Sequence, residues 1–204
     1  FASDESWKYS KKTPYTFCSW YGGEEYDANI ATQESLQKDV DSWHNAVLCT
    51  ETIGKLKAQY YQPTDVVETW HPVSVKAIND SEYLLDFGQN FAGQYEFTLK
   101  GKKGQTIQMW PAELLNAQGS IDQYQTGTPV YDQYTFSGEA DGETWGPTLV
   151  YHGFRYLLVK GLDKAPTTDQ FTAKRIRLGV EQTGHFCCSN ELLNKIHTLI
   201  VRSI

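Results

Sequence analysis

The clearest pattern in the chain is an alternation of apolar and polar residues near its centre. Every second residue from Tyr95 to Leu99 is apolar, and residues 106–110 alternate again after a turn rich in lysine and glycine. Because successive side chains of a strand point to opposite faces, both stretches are predicted to be half-buried β-strands of a meander. Gly88 and Gly93 lie just upstream and predict a sharp corner between two strands.

Further short strand-like runs, separated by turn signals, extend from about residue 63 to about residue 180. Residues 145–161 are predicted to form a second meander, and Asp141-Gly142 is typical of the tight turn of a β-hairpin. Many short strands with frequent turns indicate an all-β protein built as an antiparallel β-sandwich. Plentiful glycine, tyrosine and tryptophan, with a single methionine, favour the same class.

The end of the chain has a different periodicity. Asn190 is a candidate N-cap, and the apolar residues that follow share one helical face: Leu192, Leu193, Ile196, Leu199, Ile200 and Ile204. The pattern predicts a short C-terminal α-helix that lacks its packing partners. We expect it to fold back on the sandwich near Phe186 and Leu192, with its far end mobile or in a dimer contact.

These patterns divide the chain into three segments. Residues 1–62 are interpreted as a partial N-terminal β domain or lead-in, whose sheet is expected to be completed by strands upstream. Pro63 marks a boundary because proline removes a hydrogen-bond donor. Residues 63–183 form the sandwich, and residues 184–204 a linker with the first helix of a further domain. Since the chain starts at Phe1 rather than methionine, we expect both ends to be cuts in a longer protein.

Composition narrows the classes of partner. The formal net charge of −7, with no basic cluster to offset it, argues against nucleic acid or an anionic membrane as partner. No apolar run approaches the length of a transmembrane helix. The four cysteines show neither a disulfide framework nor the CxxC spacing of a zinc site. We therefore predict no metal and no cofactor.

Several ordered motifs resemble a known family. The motifs are residues 86–90 (DFGQN) with 92–93, residues 112–114 (AEL) with Gly119, and residues 145–156, preceded by residues 21–28 (YGGEEYDA) and followed by residues 184–190. Together they resemble the accessory concanavalin-like or jelly-roll-like β-sandwich of bacterial α-L-rhamnosidases. The resemblance implies a non-catalytic piece of a glycoside hydrolase that removes terminal L-rhamnose with inversion.

In that family the catalytic carboxylates lie in a helical barrel, which would begin near Asn190. The resemblance therefore transfers no catalytic residue to this chain. Carboxylates within it, such as Glu24 with Glu25 or Glu113 with Asp122, are interpreted as structural, because glycoside hydrolysis needs two that flank one bond. The implied partners are the intramolecular catalytic domain and, through the parent protein, a rhamnose-containing carbohydrate. A weak homodimer is a further expectation, and a secreted or periplasmic location is favoured over a cytoplasmic one.

Sugar binding by the sandwich itself is the main alternative. Aromatic rings stack on the apolar faces of pyranoses while neighbouring polar groups bind hydroxyls. Two clusters fit this chemistry, and the candidate carbohydrate-binding residues are Trp20, Tyr21, Glu24, Tyr124, Tyr131 and Asp132. The alternatives are thus a bracing domain, a free-standing carbohydrate-binding module, or a sandwich with no ligand. An exposed helix face favours bracing, and an exposed aromatic platform favours binding.

Overall fold

A computed structural model describes residues 4–30, 43–49, 54–127 and 129–203 of the 204-residue chain. The strands of the first half are β1 (Lys8–Tyr9), β2 (Tyr15–Ser19), β3 (Gly23–Asp27), β4 (His44–Asn45), β5 (Thr64–Trp70), β6 (Ser74–Ala77) and β7 (Glu82–Leu99). Those of the second half are β8 (Thr106–Ala112), β9 (Leu114–Leu115), β10 (Ile121–Asp122), β11 (Asp132–Thr135), β12 (Glu143–Trp145), β13 (His152–Lys160) and β14 (Phe171–Leu178). A 3-10 turn, Thr168–Gln170, precedes β14, and the helix α1 spans Glu191–Ser203.

The fold is organised around β7, which runs for 18 residues without interruption. Its first half pairs with β13 and β6, and its second half pairs with β14 and β12. The predicted corner between two strands is therefore wrong, because one long strand serves both halves. Glycine is nevertheless required: Gly88 has a φ of +80°, and a Cβ on Gly93 would lie 2.1 Å from the carbonyl oxygen of Lys174.

Ten strands form one hydrogen-bonded sheet. Its main path runs β2-β3-β11-β8-β13-β7-β14-β5, with β6 and β12 paired to β7. All these pairs are antiparallel except β3 with β11, which is parallel. The predicted all-β, mainly antiparallel fold with one C-terminal helix is confirmed. Residues 1–62 were expected to find their sheet partners upstream, but the structure gives β3 a partner within the chain.

The core lies inside this curled sheet and is largely aromatic. The alternation near the centre of the chain is confirmed, since Tyr95, Phe97 and Leu99 are buried and their neighbours are more exposed. Ring contacts link strands β7, β11, β12, β13 and β14, with Phe97 and Phe154 each touching several rings.

The predicted hairpin at Asp141-Gly142 is wrong in its pairing. A turn does occur there, and Gly142 has a φ of +100°. However, β11 pairs with β3 and β8, whereas β12 pairs with β7, so the strands on either side of the turn are not partners. The same holds for the predicted second meander, because β12 and β13 both pair with β7 rather than with each other.

The C-terminal helix begins as predicted. The side-chain oxygen of Asn190 accepts hydrogen bonds from the N–H groups of Leu192 and Leu193, which is the geometry of an N-cap. Five of the predicted apolar residues are exposed (Leu192, Leu193, Ile196, Leu199 and Ile200), and Ile204 lies outside the described residues. Contact with the sandwich lies at the far end, where Arg202 bonds Gln89 and Glu68, rather than near Phe186 and Leu192 as predicted. A long arginine side chain reaches the sheet where the leucines do not.

All four cysteines are free thiols, and Cys18, Cys49 and Cys187 are exposed. Within the ranges that the structure describes, no helix combines the length and the apolar character that crossing a membrane requires.

Candidate functional site

A cleft of about 360 Å³ opens at one edge of the sheet and carries exposed aromatic rings. Trp20 and Tyr21 form one wall and lie in the turn between β2 and β3, with 74% and 58% of their surface exposed. Tyr151, 54% exposed, faces the cleft from the residue before β13. Large aromatic rings at the surface are costly to leave in water, so such a group marks a binding surface.

Polar groups line the same cleft. Glu113, directly after β8, accepts a hydrogen bond of 2.8 Å from the side-chain amide of Asn90. His152, the first residue of β13, also lines the cleft although it is itself buried. The hydroxyl of Tyr21 donates to the backbone carbonyl of Thr126, which fixes that ring against the opposite loop. Rings with fixed orientation beside a carboxylate and an imidazole can hold a neutral polyhydroxylated ring.

Two fully buried carboxylates lie beneath the cleft. Glu24 on β3 accepts hydrogen bonds from the backbone N–H groups of Leu149, at 2.8 Å, and Thr148, at 3.2 Å. Asp132 on β11 accepts from the N–H of Glu24, at 2.9 Å, and, at 2.7 Å, from the hydroxyl of Tyr95. His152 Nε2 donates to the same Asp132 oxygen at 2.9 Å. We call these four side chains (Glu24, Tyr95, Asp132 and His152) the buried network.

The buried network perturbs ionisation. Burial raises the pKa of Glu24 above its ordinary value of 4.5, an effect that the N–H groups of Leu149 and Thr148 oppose and the nearby Asp132 carboxylate reinforces. Burial and the Asp132 carboxylate raise the pKa of the Tyr95 hydroxyl well above 10.0. Tyr95 therefore stays protonated and acts only as a hydrogen-bond donor to Asp132.

The structure places the six predicted carbohydrate-binding residues in different environments. Trp20 and Tyr21 lie in the cleft. Glu24 and Asp132 have no exposed surface, so the prediction that they contact a sugar directly is corrected: strand pairing of β3 with β11 turns both inward. Tyr124 is 84% exposed, but it is not among the residues that line the cleft.

Tyr131 has a structural environment. Its ring stacks on Trp110, with ring centroids 4.8 Å apart, and its hydroxyl donates to Glu25 at 3.2 Å. Lys160 Nζ lies 4.3 Å from the centre of the same Trp110 ring. This arrangement occupies the stacking face and the hydroxyl of Tyr131 with protein groups. Glu25 thus faces outward while Glu24 faces inward, which confirms that the two cannot flank one glycosidic bond.

Sequence reasoning missed part of the cleft. Tyr151 and His152 were not among the predicted binding residues, and Glu113 was considered only together with Asp122 as a carboxylate pair. The three lie far from Trp20 in sequence, and only strand pairing brings them together. The one local signal was the polar and aromatic run at residues 151–153, just before the apolar residues of β13. Among the residues that the structure describes, no group of His, Cys, Asp and Glu has the arrangement to hold a metal ion.

The fold and the cleft define the class, an accessory β-sandwich of the concanavalin-like kind. Residues 76–177 match the family described as the bacterial alpha-L-rhamnosidase concanavalin-like domain, and residues 1–68 match the alpha-L-rhamnosidase N-terminal domain. The chain belongs to the bacterial α-L-rhamnosidase family, and the resemblance in its motifs is confirmed.

Individual relatives agree. The chain is 33% identical to an alpha-L-rhamnosidase of Formosa agariphila over 98% of its own length and 22% of that protein. Among solved structures, it is similar to the alpha-L-rhamnosidase from Dictyoglumus thermophilum, with a TM-score of 0.87 and 35% identity over 98% of this chain and 23% of that one. It is also similar to the Streptomyces avermitilis alpha-L-rhamnosidase complexed with L-rhamnose, with a TM-score of 0.80 and 26% identity over 93% of this chain and 19% of that one.

The chain therefore spans about a fifth of the length of the relatives it matches. It corresponds to their N-terminal accessory region, which accounts for a mostly β fold without a pair of carboxylates arranged for hydrolysis among the described residues.

Proposed function

We propose that this chain is the non-catalytic β-sandwich of a protein that removes terminal L-rhamnose from glycans or glycosides, and that it braces the catalytic domain of that protein. The observation that carries the proposal is α1. Its large aliphatic side chains are exposed, with Leu192 at 65% and Leu199 at 67%. Each forgoes roughly 1.5–3 kcal/mol of burial, so a partner that covers them gains a stable interface. The relatives contain far more chain than this one, and the proposed partner lies there.

The contacts of Arg202 support bracing. Its guanidinium reaches Glu68 on β5 at 3.1 Å, and Arg175 on β14 reaches the same carboxylate at 3.1 Å. This orients α1 relative to the sheet while leaving its apolar residues uncovered. A helix held in this way presents its leucines to a neighbouring domain in a fixed direction.

The bracing proposal is tested in the intact rhamnosidase that carries this chain. Replacing Leu199 with Asp should lower the melting temperature of the whole enzyme and expose the helix to protease, because a charge would enter the proposed interface. Replacing the neighbouring Lys195 with Asp is the matched control, since that residue is exposed and polar, and it should have little effect. Equal behaviour of the two variants would contradict bracing through α1.

Catalytic silence is a second part of the proposal. Incubation of this chain with an aryl α-L-rhamnoside should release no phenol above background, because Glu24 is buried and Glu113 has no second carboxylate placed opposite it in the cleft. Turnover that survives purification and disappears on replacement of Glu113 or Glu24 with Gln would contradict it.

Sugar binding is a second candidate function, favoured by the cleft. Trp20, Tyr21 and Tyr151 supply exposed rings, and Glu113 and His152 supply polar groups at the same place. A neutral sugar fits this chemistry better than an acidic one, because the Glu113 carboxylate repels anions. The ligand we propose is a terminal L-rhamnose unit of the parent's substrate, held near the catalytic domain.

The binding proposal can be tested by following the Trp20 indole resonance in NMR spectra during addition of L-rhamnose. Shifts that saturate in wild type and disappear in Tyr151→Ala are expected. Tyr60→Ala is the control, because that tyrosine is 95% exposed and is not among the cleft residues. Loss of the shifts in the control variant as well, or no shifts in wild type, would contradict binding at the cleft. A weak homodimer through α1 stays a prediction, which sedimentation of this chain at increasing concentration would test.

A further inference from the structure

The buried network connects both walls of the cleft to strands β3 and β11. Trp20 and Tyr21 stand in the turn that enters β3, and the N–H of Tyr131, next to Asp132, bonds the carbonyl of Gly22 at 3.2 Å. On the other wall, the segment formed by residues 146–151 carries Tyr151 and has no strand or helix of its own. We call it the 146–151 segment.

The 146–151 segment is held by polar contacts to several side chains, including one of 3.0 Å between the hydroxyls of Thr148 and Tyr15. The Glu24 carboxylate accepts from the Thr148 and Leu149 N–H groups. The carbonyl of Val150 accepts a hydrogen bond of 2.8 Å from the side chain of Gln94. His152, immediately after the segment, donates to Asp132. The side chains of Leu149 and Tyr151 are exposed, whereas Val150 between them is 2% exposed. The outward placement of Tyr151 thus depends on polar anchors and on one buried valine.

A bracing role alone does not call for such an arrangement. Burying two carboxylates is costly, and a buried ion pair is weak grounds for stability. Nevertheless every buried side-chain N or O atom among the described residues has a hydrogen-bond partner, so the network is complete. A complete buried network specifies one local geometry. The network reaches the cleft at two places, because Asp132 bonds the cleft residue His152 and Glu24 bonds Leu149 in the segment that carries Tyr151.

We propose that Glu24 is a positioning residue for the cleft: its buried carboxylate holds the 146–151 segment so that Tyr151 faces Trp20 and Tyr21. Glu24 does not touch the ligand. The inference deepens the proposed sugar binding and rests on it only for the affinity measurement, because the position of the segment can be measured without any ligand.

The test compares Glu24→Ala with Glu24→Gln. Alanine removes the acceptor, so amide hydrogen exchange across residues 149–152 should become about tenfold faster. Glutamine can place its carbonyl oxygen where Oε2 accepts from Leu149, so exchange should stay near the wild-type rate. L-rhamnose affinity, measured by the Trp20 resonance, should fall with alanine and be restored with glutamine. A role limited to overall stability would not produce this rescue at one segment.

Glu143→Ala is the matched control. Glu143 is also a buried carboxylate that accepts backbone N–H bonds, but those belong to Ser137, Gly138 and Glu139, none of which lines the cleft. This variant should lose stability without faster exchange at residues 149–152. Exchange in that segment that is equal in Glu24→Ala and wild type, or equally fast in Glu24→Ala and Glu143→Ala, would overturn the inference.

Two further outcomes are assigned in advance. If wild type does not bind L-rhamnose, the proposed sugar binding fails, and exchange alone decides the role of Glu24. If Glu24→Ala does not fold, Leu149→Pro removes one of the same hydrogen bonds from the donor side, where the side chain is exposed. Faster exchange at Tyr151 in that variant would support the inference, and unchanged exchange would overturn it.

Discussion

Two buried carboxylates in this domain, Glu24 and Glu143, both accept backbone N–H groups, but their pKa values shift in opposite directions. Glu24 has no exposed surface and receives two backbone N–H groups, mostly on one oxygen. Glu143 is 7% exposed and receives five hydrogen bonds shared between both oxygens, from Tyr134, Ser137, Gly138 and Glu139. Burial raises the pKa of both carboxyls, but at Glu143 the hydrogen bonds outweigh it and the pKa lies below its ordinary value.

The difference between the two residues lies in which parts of the chain their carboxylates hold. The Glu143 bonds are local, because their donors lie within nine residues, and they cap the turn before β12. Those of Glu24 reach more than a hundred residues along the chain to the segment that carries Tyr151. A carboxylate with many donors stabilises its turn. One with few donors and a second carboxylate nearby costs stability, which fits a residue kept for the geometry of the cleft.

The largest expected effect comes from changing the backbone next to Glu24. Gly23 precedes Glu24, has a φ of +122°, and a Cβ on it would lie 1.9 Å from the carbonyl oxygen of Tyr131. Gly23→Ala should therefore destabilise the domain by about 3 kcal/mol or more, through backbone strain and loss of the β3–β11 approach. Urea unfolding measures this. Gly22→Ala is the control, since its nearest contact would be an ordinary 3.4 Å to Ser19, and equal midpoints for the two variants would contradict the argument.

The next effect compares the two carboxylates directly. Glu143→Gln should lose about 2 kcal/mol, because both oxygens accept N–H groups and an amide must turn its own NH₂ toward one of them. Glu24→Gln should lose less, because only one oxygen carries the short bond, at 2.8 Å. Urea unfolding at pH 7 of the two variants ranks them. The reverse order would show that the number of donors does not decide the outcome.

The two opposite pKa shifts also predict opposite pH dependences. The lowered pKa of Glu143 contributes stability above the ordinary value of 4.5 that is lost as pH falls through the folded-state pKa. The raised pKa of Glu24 contributes stability that is fully present below 4.5 and lost as pH rises through its folded-state pKa. The free energy of unfolding should be measured from acidic to neutral pH for wild type and both variants. In Glu143→Gln it should fall less than in wild type as the pH is lowered. In Glu24→Gln it should fall less than in wild type as the pH is raised. Parallel pH profiles for both variants and wild type would contradict these shifts.

Local sequence signals predicted the alternating strand and the helix cap, but they could not predict the direction of the Glu24 side chain. The alternation from Tyr95 to Leu99 and the N-cap at Asn190 follow from periods and turns within a few residues. The inward direction of Glu24 depends on β3 pairing in parallel with β11, more than a hundred residues away.

Long-range pairing explains the other differences too. Gly88 and Gly93 correctly indicated unusual backbone, but both lie within one continuous strand rather than at a corner between two. The strand continues because β13 and β14 pair with β7 on either side of Gly93. The segment that carries the cleft residue Tyr151 is held by hydrogen bonds that no local pattern encodes: Glu24 accepts from Leu149, and Gln94 donates to Val150.

The smallest expected effect concerns a third carboxylate, Glu68, which extends the comparison to the surface. Its side chain is 35% exposed and lies between Arg175 and Arg202. Solvent screens such pairs, so Arg202→Gln should cost only roughly 0.2–1 kcal/mol, unlike the buried Glu143 cap. Its effect should instead be local: faster amide exchange in the last turns of α1, with the sheet unchanged, because Arg175 still holds Glu68. Lys195→Gln, on the same helix, is the control. If exchange in α1 were the same in both variants, the Glu68–Arg202 contact would not orient the helix, and the support it lends to bracing would be lost.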